Sequence, residues 1–212
     1  LKNLETIGST GSPLIHESFD YIYTNVKKDV SVASLSGGTD IVGCFIGGNP
    51  ISEVRRGEIQ GPILGMDVHV YDDKANSLKN EKGELVCIKS FPSMPLFFWN
   101  DKNNEKYHDA YFNKYENVWC HGDYILKTEN DGFIIFGRSD ATLNPGGVRI
   151  GTAEIYRQVE QIEEVLEGLV VGQTWKGDTR VVLFVRIKEN SILTDELIDR
   201  IKTKIKTGAS PR

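Results

Sequence analysis

The spacing of apolar positions changes several times along the 212 residues, and each change predicts an element. Residues 30–35 (VSVASL) are small or β-branched and uncharged, the pattern of a buried strand. Ile15, Phe19, Ile22, Tyr23 and Val26 recur at helical spacing and predict a helix with Pro13 near its first turn. Residues 57–71 hold two short strand candidates separated by glycines. Asp72-Asp73-Lys74 reads as a turn and residues 84–88 as a further strand. Such close alternation suggests a small antiparallel barrel or meander. Asp131-Gly132 predicts a hairpin between residues 124–127 and 133–137. Ile155, Val159, Ile162 and Leu166 predict a helix that Thr152 caps, that gains from Glu154 in its first turn, and that runs to Glu167 before Gly168 ends it. Residues 169–173 and 180–187 read as strands, with the 181–185 run central in character. Thr194-Asp195-Glu196 opens a last amphipathic helix with Leu197, Ile198, Ile201 and Ile205 inward and Gly208 at its end. The class expected is α/β with α+β pieces.

Two stretches are less legible. Residues 1–7 are too short to assign, the tail of a helix being one reading. Phe97, Phe98, Trp99, Tyr107, Tyr111, Phe112 and Tyr115 crowd one segment, and aromatics this dense read as buried area rather than as a cofactor site.

Composition narrows the function. With 25 basic and 30 acidic residues the net charge is −5, which argues against a general nucleic-acid binder. No apolar run approaches a membrane span. Cys44, Cys87 and Cys120 are odd in number, far apart and without CxxC spacing, which suits a reducing compartment rather than a thiolate zinc site, and a cytoplasmic location is expected from the lack of a signal peptide in the first residues of this sequence. His16, His69, His108 and His121 show no paired metal-ligand spacing.

The chemistry concentrates in residues 137–155, GRSDATLNPGGVRIGTAEI. Gly137, Gly146, Gly147 and Gly151 give backbone freedom at four places. Between them stand Arg138, Arg149 and Asp140. Arginine offers a rigid fork of donors suited to phosphate or to paired hydroxyls; a surface hairpin with solvated charges is the plainer reading of the same residues. Upstream, Ser36-Gly37-Gly38-Thr39-Asp40 follows the 30–35 strand, where a small-residue turn lets backbone N–H groups face a phosphate. Trp119-Cys120-His121-Gly122-Asp123 ends in a carboxylate with two acceptor oxygens, and Gly-Asp is equally a β-turn.

In series, these three motifs resemble those of the adenylate-forming enzymes: acyl-CoA synthetases, luciferases and adenylation domains. The pattern G-R-x-D, G-x-R and a helix with E-I is their hinge. Phe97-Phe98-Trp99-Asn100-Asp101 and Gly47-Gly48-Asn49-Pro50 are similar to the acetoacetyl-CoA synthetase branch. The resemblance implies the end of a large AMP-binding domain with a barrel-like subdomain over residues 1–139, then a hinge and an incomplete α/β small domain over 140–212. It implies acyl-adenylate formation from ATP and a carboxylate, then thioester formation with CoA, with Mg²⁺ assisting and only small molecules as partners. It gives no oligomeric state. By the same resemblance Gly11, Ser12 and Pro13 lie along the adenine and ribose, although the family often has Glu in place of Ser12. Ser36, Gly37, Gly38 and Thr39 line the nucleotide, and Thr39 reaches the α-phosphate. Asp40 stands where the family's Glu helps hold Mg²⁺, one methylene shorter. Asp123 and Arg138 serve the ribose, Arg149 the α-phosphate, Asp140 the domain rotation, and Gly146 and Gly147 the passage of CoA. Gly37 replaces an aromatic wall found in acetate-activating relatives and implies a longer carboxylate.

Another short-chain acyl-CoA synthetase and a non-catalytic nucleotide-binding relative remain open. The chain opens on Leu1 and stops at Ser210-Pro211-Arg212, which reads as an internal piece of a longer enzyme. The family's glycine-rich phosphate loop and catalytic lysine are not in it, and Lys202, Lys204 and Lys206 look solvated. The isolated 212 residues are therefore expected to give no ATP–pyrophosphate exchange; a signal above a no-protein control would overturn that.

Overall fold

The structure, a computed structural model, describes residues 1–145 and 148–209. The chain divides into two compact units, Leu1–Ile135 and Phe136–Arg212.

The first unit begins with a strand, β1 (Thr6–Ser9), where the sequence suggested at most a helix tail. It pairs in parallel with β2 (Ser31–Ser34), in register from Thr6 with Ser31 to Ser9 with Ser34. Parallel neighbours need a crossover. It is helical: α1 (His16–Tyr21) continues into a π-helical turn, Ile22–Val26. Phe19 anchors this crossover, packed with Val30, Val32, Leu4, Ile7 and Leu14.

Next come β3 (Ser36–Gly38), β4 (Gly43–Gly47) and β5 (Gly61–Pro62), an antiparallel three-stranded sheet. β6 (Val68–Tyr71), β7 (Lys82–Cys87), β8 (Trp119–Lys127) and β9 (Phe133–Arg138) follow in the spatial order of their sequence. The barrel-like subdomain is thus an open meander, and no sheet among the described residues closes on itself. The Asp131-Gly132 turn lies where the sequence puts it, with Asp131 at φ 62°. β4, rich in glycine, and the short α2 (Glu105–Tyr111) carry no periodic signal, and the sequence predicts neither.

One core holds these pieces together: Phe45, Ile46, Val70, Leu85, Phe91, Trp119, Ile125 and Phe133, all buried. Trp119 is its hub, with the rings of Phe45, Phe91, Tyr107, Tyr111 and Phe112 around it.

In the second unit α3 (Thr152–Val159) ends eight residues before the predicted Glu167. Gly151 is its N-cap and Thr152 its first helical residue; the Glu154 carboxylate accepts from the Gly151 N–H at 2.9 Å. What shortens the helix is a hairpin. β10 (Val165–Trp175) and β11 (Asp178–Ile187) meet across Lys176-Gly177, both at positive φ, as the favoured two-residue turns require. Pairing outward from that turn draws residues 165–168 into the ladder, so Gly168 lies in a strand and Leu166 is exposed. The 181–185 run is not central: its sheet has two strands, and Val181, Leu183 and Val185 face the core while Phe184 faces solvent. α4 (Asp195–Gly208) matches the reading, capped by Thr194, whose Oγ1 accepts from the Leu197 N–H. Among the described residues no helix is long and apolar enough to cross a membrane.

Glu84, on β7, is buried at 5% exposure. Lys114 donates to it at 2.8 Å and pairs with Asp73 at 3.1 Å. Burial opposes the lysine charge, but the two carboxylates outweigh it and hold the Lys114 pKa above its ordinary value. Lys114→Met is expected to cost about 1–3 kcal/mol, because Glu84 loses its charged donor; urea unfolding at neutral pH measures it.

Candidate functional site

β1 and β2 run side by side, so their carboxyl ends finish level. The Leu35 N–H donates to the Ser9 carbonyl at 2.9 Å and extends the pairing one step further. Beyond this point each strand gives way to a candidate segment, 11–13 after β1 and 36–40 after β2, the place where open α/β sheets hold ligands. Gly11 has φ +91°, a turn conformation that side chains resist.

Part of the second segment is strand rather than turn. β3 covers Ser36, Gly37 and Gly38, with a bulge between Ser36 and Gly37 against β4. A Cβ on Gly37 would enter the backbone of Gly43 and Cys44. A Cβ on Gly38 would meet the Asp40 carboxylate and lie 2.9 Å from the His121 ring. These two glycines therefore permit close approach, on one side to a strand and on the other to two polar side chains.

The strand β8 completes the cluster. Ser36 Oγ donates to Asp123 Oδ2 at 3.3 Å, joining positions 87 residues apart. Asp123 and His121 are buried, at 7% and 8% exposure, and the His121 ring centroid is 4.7 Å from that of Phe45. Thr39 and Asp40 are exposed. Tyr111, on α2, donates its hydroxyl hydrogen to Asp40 Oδ2 at 2.6 Å and stacks on Trp119 at 3.6 Å and 14°. A buried carboxylate beside a small-residue strand can accept two hydroxyl hydrogens of a sugar, and the exposed hydroxyl and carboxylate of Thr39 and Asp40 stand at its rim.

Ser36, Gly37, Gly38, Thr39, Asp40 and Asp123 are thus brought together within the first unit, with the turn of Gly11, Ser12 and Pro13 following the neighbouring strand. Arg138, Asp140 and Arg149 belong to the second unit. There Arg138 Nε lies 3.5 Å from Asp140 Oδ1, and both side chains are more than half exposed. Ala141 N–H donates to the Arg138 carbonyl and Thr142 N–H to that of Ser139, so the chain turns immediately after β9. Leu143 and Ile150, both buried, exchange two backbone hydrogen bonds of 2.9 and 2.8 Å and close the loop that carries Arg149. Gly146 and Gly147 lie outside the described residues.

Among the described residues no group of three or more His, Cys, Asp or Glu could hold a metal ion. Asp40 offers one carboxylate, with one oxygen already engaged by Tyr111. That donor set fits Mg²⁺ carried mainly by phosphates and water, which is how Mg²⁺ is usually held, and does not fit a protein cage. Burial pushes the thiols of Cys44 and Cys87 up, so neither is a ready nucleophile.

Sequence reasoning gave no role to His121, Phe45 or Tyr111. His121 lies inside the Trp119-Cys120-His121-Gly122-Asp123 motif, which is its signal in the sequence. Tyr111 reads from the sequence as one of several core aromatics, and nothing local marks its hydroxyl as aimed at a residue 71 positions away. Gly37→Ala is expected to destabilise the chain by about 1–3 kcal/mol, because β3 and β4 must separate to admit a methyl group; urea unfolding reads the loss.

No family model matches the chain. Over its whole length it is 58% identical to the acetoacetyl-coenzyme A synthetase of Rhizobium meliloti (strain 1021), of which it covers 33%. Its fold is similar to that of the solved acetoacetyl-CoA synthetase from Streptomyces lividans, with TM-score 0.88 and 41% identity over 99% of this chain and 32% of that one. The anthranilate CoA ligase AuaEII, solved in complex with anthranoyl-AMP, shares the fold at TM-score 0.79 and 22% identity over 98% of this chain and 39% of that one. The chain spans about a third of the length of the acetoacetyl-CoA synthetases it matches.

Proposed function

We propose that the chain is part of an adenylate-forming enzyme and that its gene product is an AMP-forming acid–thiol ligase that activates acetoacetate, a reading supported by the similarity over the whole of this chain. The observation that carries the nucleotide site is the meeting of the 36–40 segment with Asp123 at the ends of a parallel strand pair. Acetoacetate is supported by the similarity to relatives named for it.

In this reading ATP lies with its adenine and ribose along Gly11, Ser12 and Pro13. The Asp123 carboxylate accepts from the ribose hydroxyls, and Ser36 keeps one of its oxygens oriented. The N–H groups around Gly37 and Gly38 and the Thr39 hydroxyl face the α-phosphate, where the carboxylate oxygen attacks and pyrophosphate leaves. Charge grows on the phosphate oxygens in that step, and fixed donors are worth most there. Arg149 is assigned to the same phosphate and Arg138 to the ribose. Mg²⁺, held chiefly by the phosphates with Asp40 beside it, would offset further negative charge. In the second half-reaction the CoA thiol attacks the acyl-adenylate and AMP leaves, with Asp140 as the pivot between the two states and Gly146 and Gly147 along the thiol's path. No protein nucleophile takes part. Gly37 is assigned to the acyl end of the site by the resemblance alone, because the space a side chain would take there is filled by the backbone of Gly43 and Cys44. A cytoplasmic setting is part of the proposal, supported by three free cysteines.

ATP–pyrophosphate exchange by the complete gene product, with acetate, butyrate and acetoacetate at equal concentration, tests the reading. Preference for acetoacetate is expected. Preference for butyrate would keep the superfamily and overturn the substrate. No exchange from folded protein would favour a non-catalytic nucleotide binder. Asp123→Ala is expected to lower kcat/KM for ATP by about 10- to 100-fold, the value of charged hydrogen bonds to the ribose.

A further inference from the structure

We propose that Tyr111 is a positioning residue that ties the 36–40 segment to β8 and holds Asp40 at the rim of the nucleotide site. The inference rests on the nucleotide reading of that site.

Tyr111 uses both parts of its side chain. The ring face lies on Trp119 at 3.6 Å and 14°, nearly parallel, whereas Phe45 is tilted to that indole at 45° and Phe91, Tyr107 and Phe112 meet it at 83°, 64° and 89°. Trp119 is 1% exposed and opens β8, the strand that places His121 and Asp123. The hydroxyl reaches the opposite way, to Asp40 Oδ2 at 2.6 Å. A phenylalanine would fill the same stack, so packing alone does not call for the oxygen. Asp40 is exposed and would otherwise sample several rotamers. One of its oxygens is held by Tyr111, and its carboxylate packs against Gly38, where no Cβ intervenes. Tyr111 therefore joins the two segments assigned to phosphate and ribose, and it does so from α2, an element with no other part in the site. The hydrogen bond is charge-assisted and short. It adds a long-range contact at Asp40, just beyond the residues 36–38 that pair with β4, in a turn that also carries the Val42 N–H to Thr39 carbonyl bond of 3.3 Å.

The test is a double-mutant cycle in the complete gene product. Tyr111→Phe is expected to raise the KM for ATP about tenfold, the worth of one hydrogen bond to a charged group, and to leave kcat at saturating ATP within about twofold. In an Asp40→Ala background the same substitution should change that KM by less than about twofold, since the two residues act through one contact. An equal effect in both backgrounds, or none in either, would overturn the proposal. Hydrogen exchange supplies a readout without turnover: the Val42 amide should exchange about tenfold faster in Tyr111→Phe, and unchanged protection there would overturn the positioning role. If the parent protein shows no ATP–pyrophosphate exchange, the ligase reading falls, while the Val42 amide still decides whether Tyr111 holds the segment.

Discussion

The burial of Trp119 is the interaction on which the first unit depends. Five aromatic rings close around it, and an indole of that size removes more apolar area from water than any neighbour. Its Nε1 is buried without a hydrogen-bond partner, a cost that the surrounding contacts must exceed. The result is a fixed start for β8. Two residues further on stands His121 and four residues on Asp123, both buried, so the rigidity of the hub is passed directly to the polar cluster. A carboxylate held in this way pays little ordering entropy when it meets a pair of hydroxyls, the general advantage of preorganisation.

A second constraint is steric and lies in the backbone. Parallel pairing levels the ends of β1 and β2, which puts the 11–13 and 36–40 segments at the same edge. Close approach at Gly37 lets β3 lie against β4, and close approach at Gly38 lets Asp40 and His121 come together. Small residues here admit neighbouring atoms of the protein, and the proposed nucleotide site would also have backbone N–H groups of this segment face a phosphate. The same glycine that resemblance assigns to the acyl pocket is therefore also required by the packing of two strands.

The second unit is built on different terms. Its sheet has two strands and depends on α3 and α4 to cover one face with Ile155, Val159, Leu197 and Ile201. Among the described residues, Ala141, Thr142, Leu143 and Ile150 make short-range backbone hydrogen bonds, and the Arg138–Asp140 pair is exposed, where ion pairs contribute little to stability.

How much was legible follows from the range of the forces involved. Short-range signals match the structure: the strand around residues 31–34, the Asp131-Gly132 turn and the Thr194-capped helix each depend on side chains within a few positions of one another. The errors lie where a distant partner decided the outcome. Residues 6–9 became a strand because β2 was there to pair with them, and residues 165–168 left the helix because a hairpin claimed their backbone. The sequence alone, through its resemblance to the adenylate-forming enzymes, marked Thr39, Asp123, Arg138 and Arg149 as candidates, and the roles proposed for them rest on that resemblance. Only the tertiary structure decided that Ser36 meets Asp123 and that Tyr111 meets Asp40, because contacts across 87 and 71 residues are set by the packing of β3, β8 and α2 and leave no trace in any local pattern.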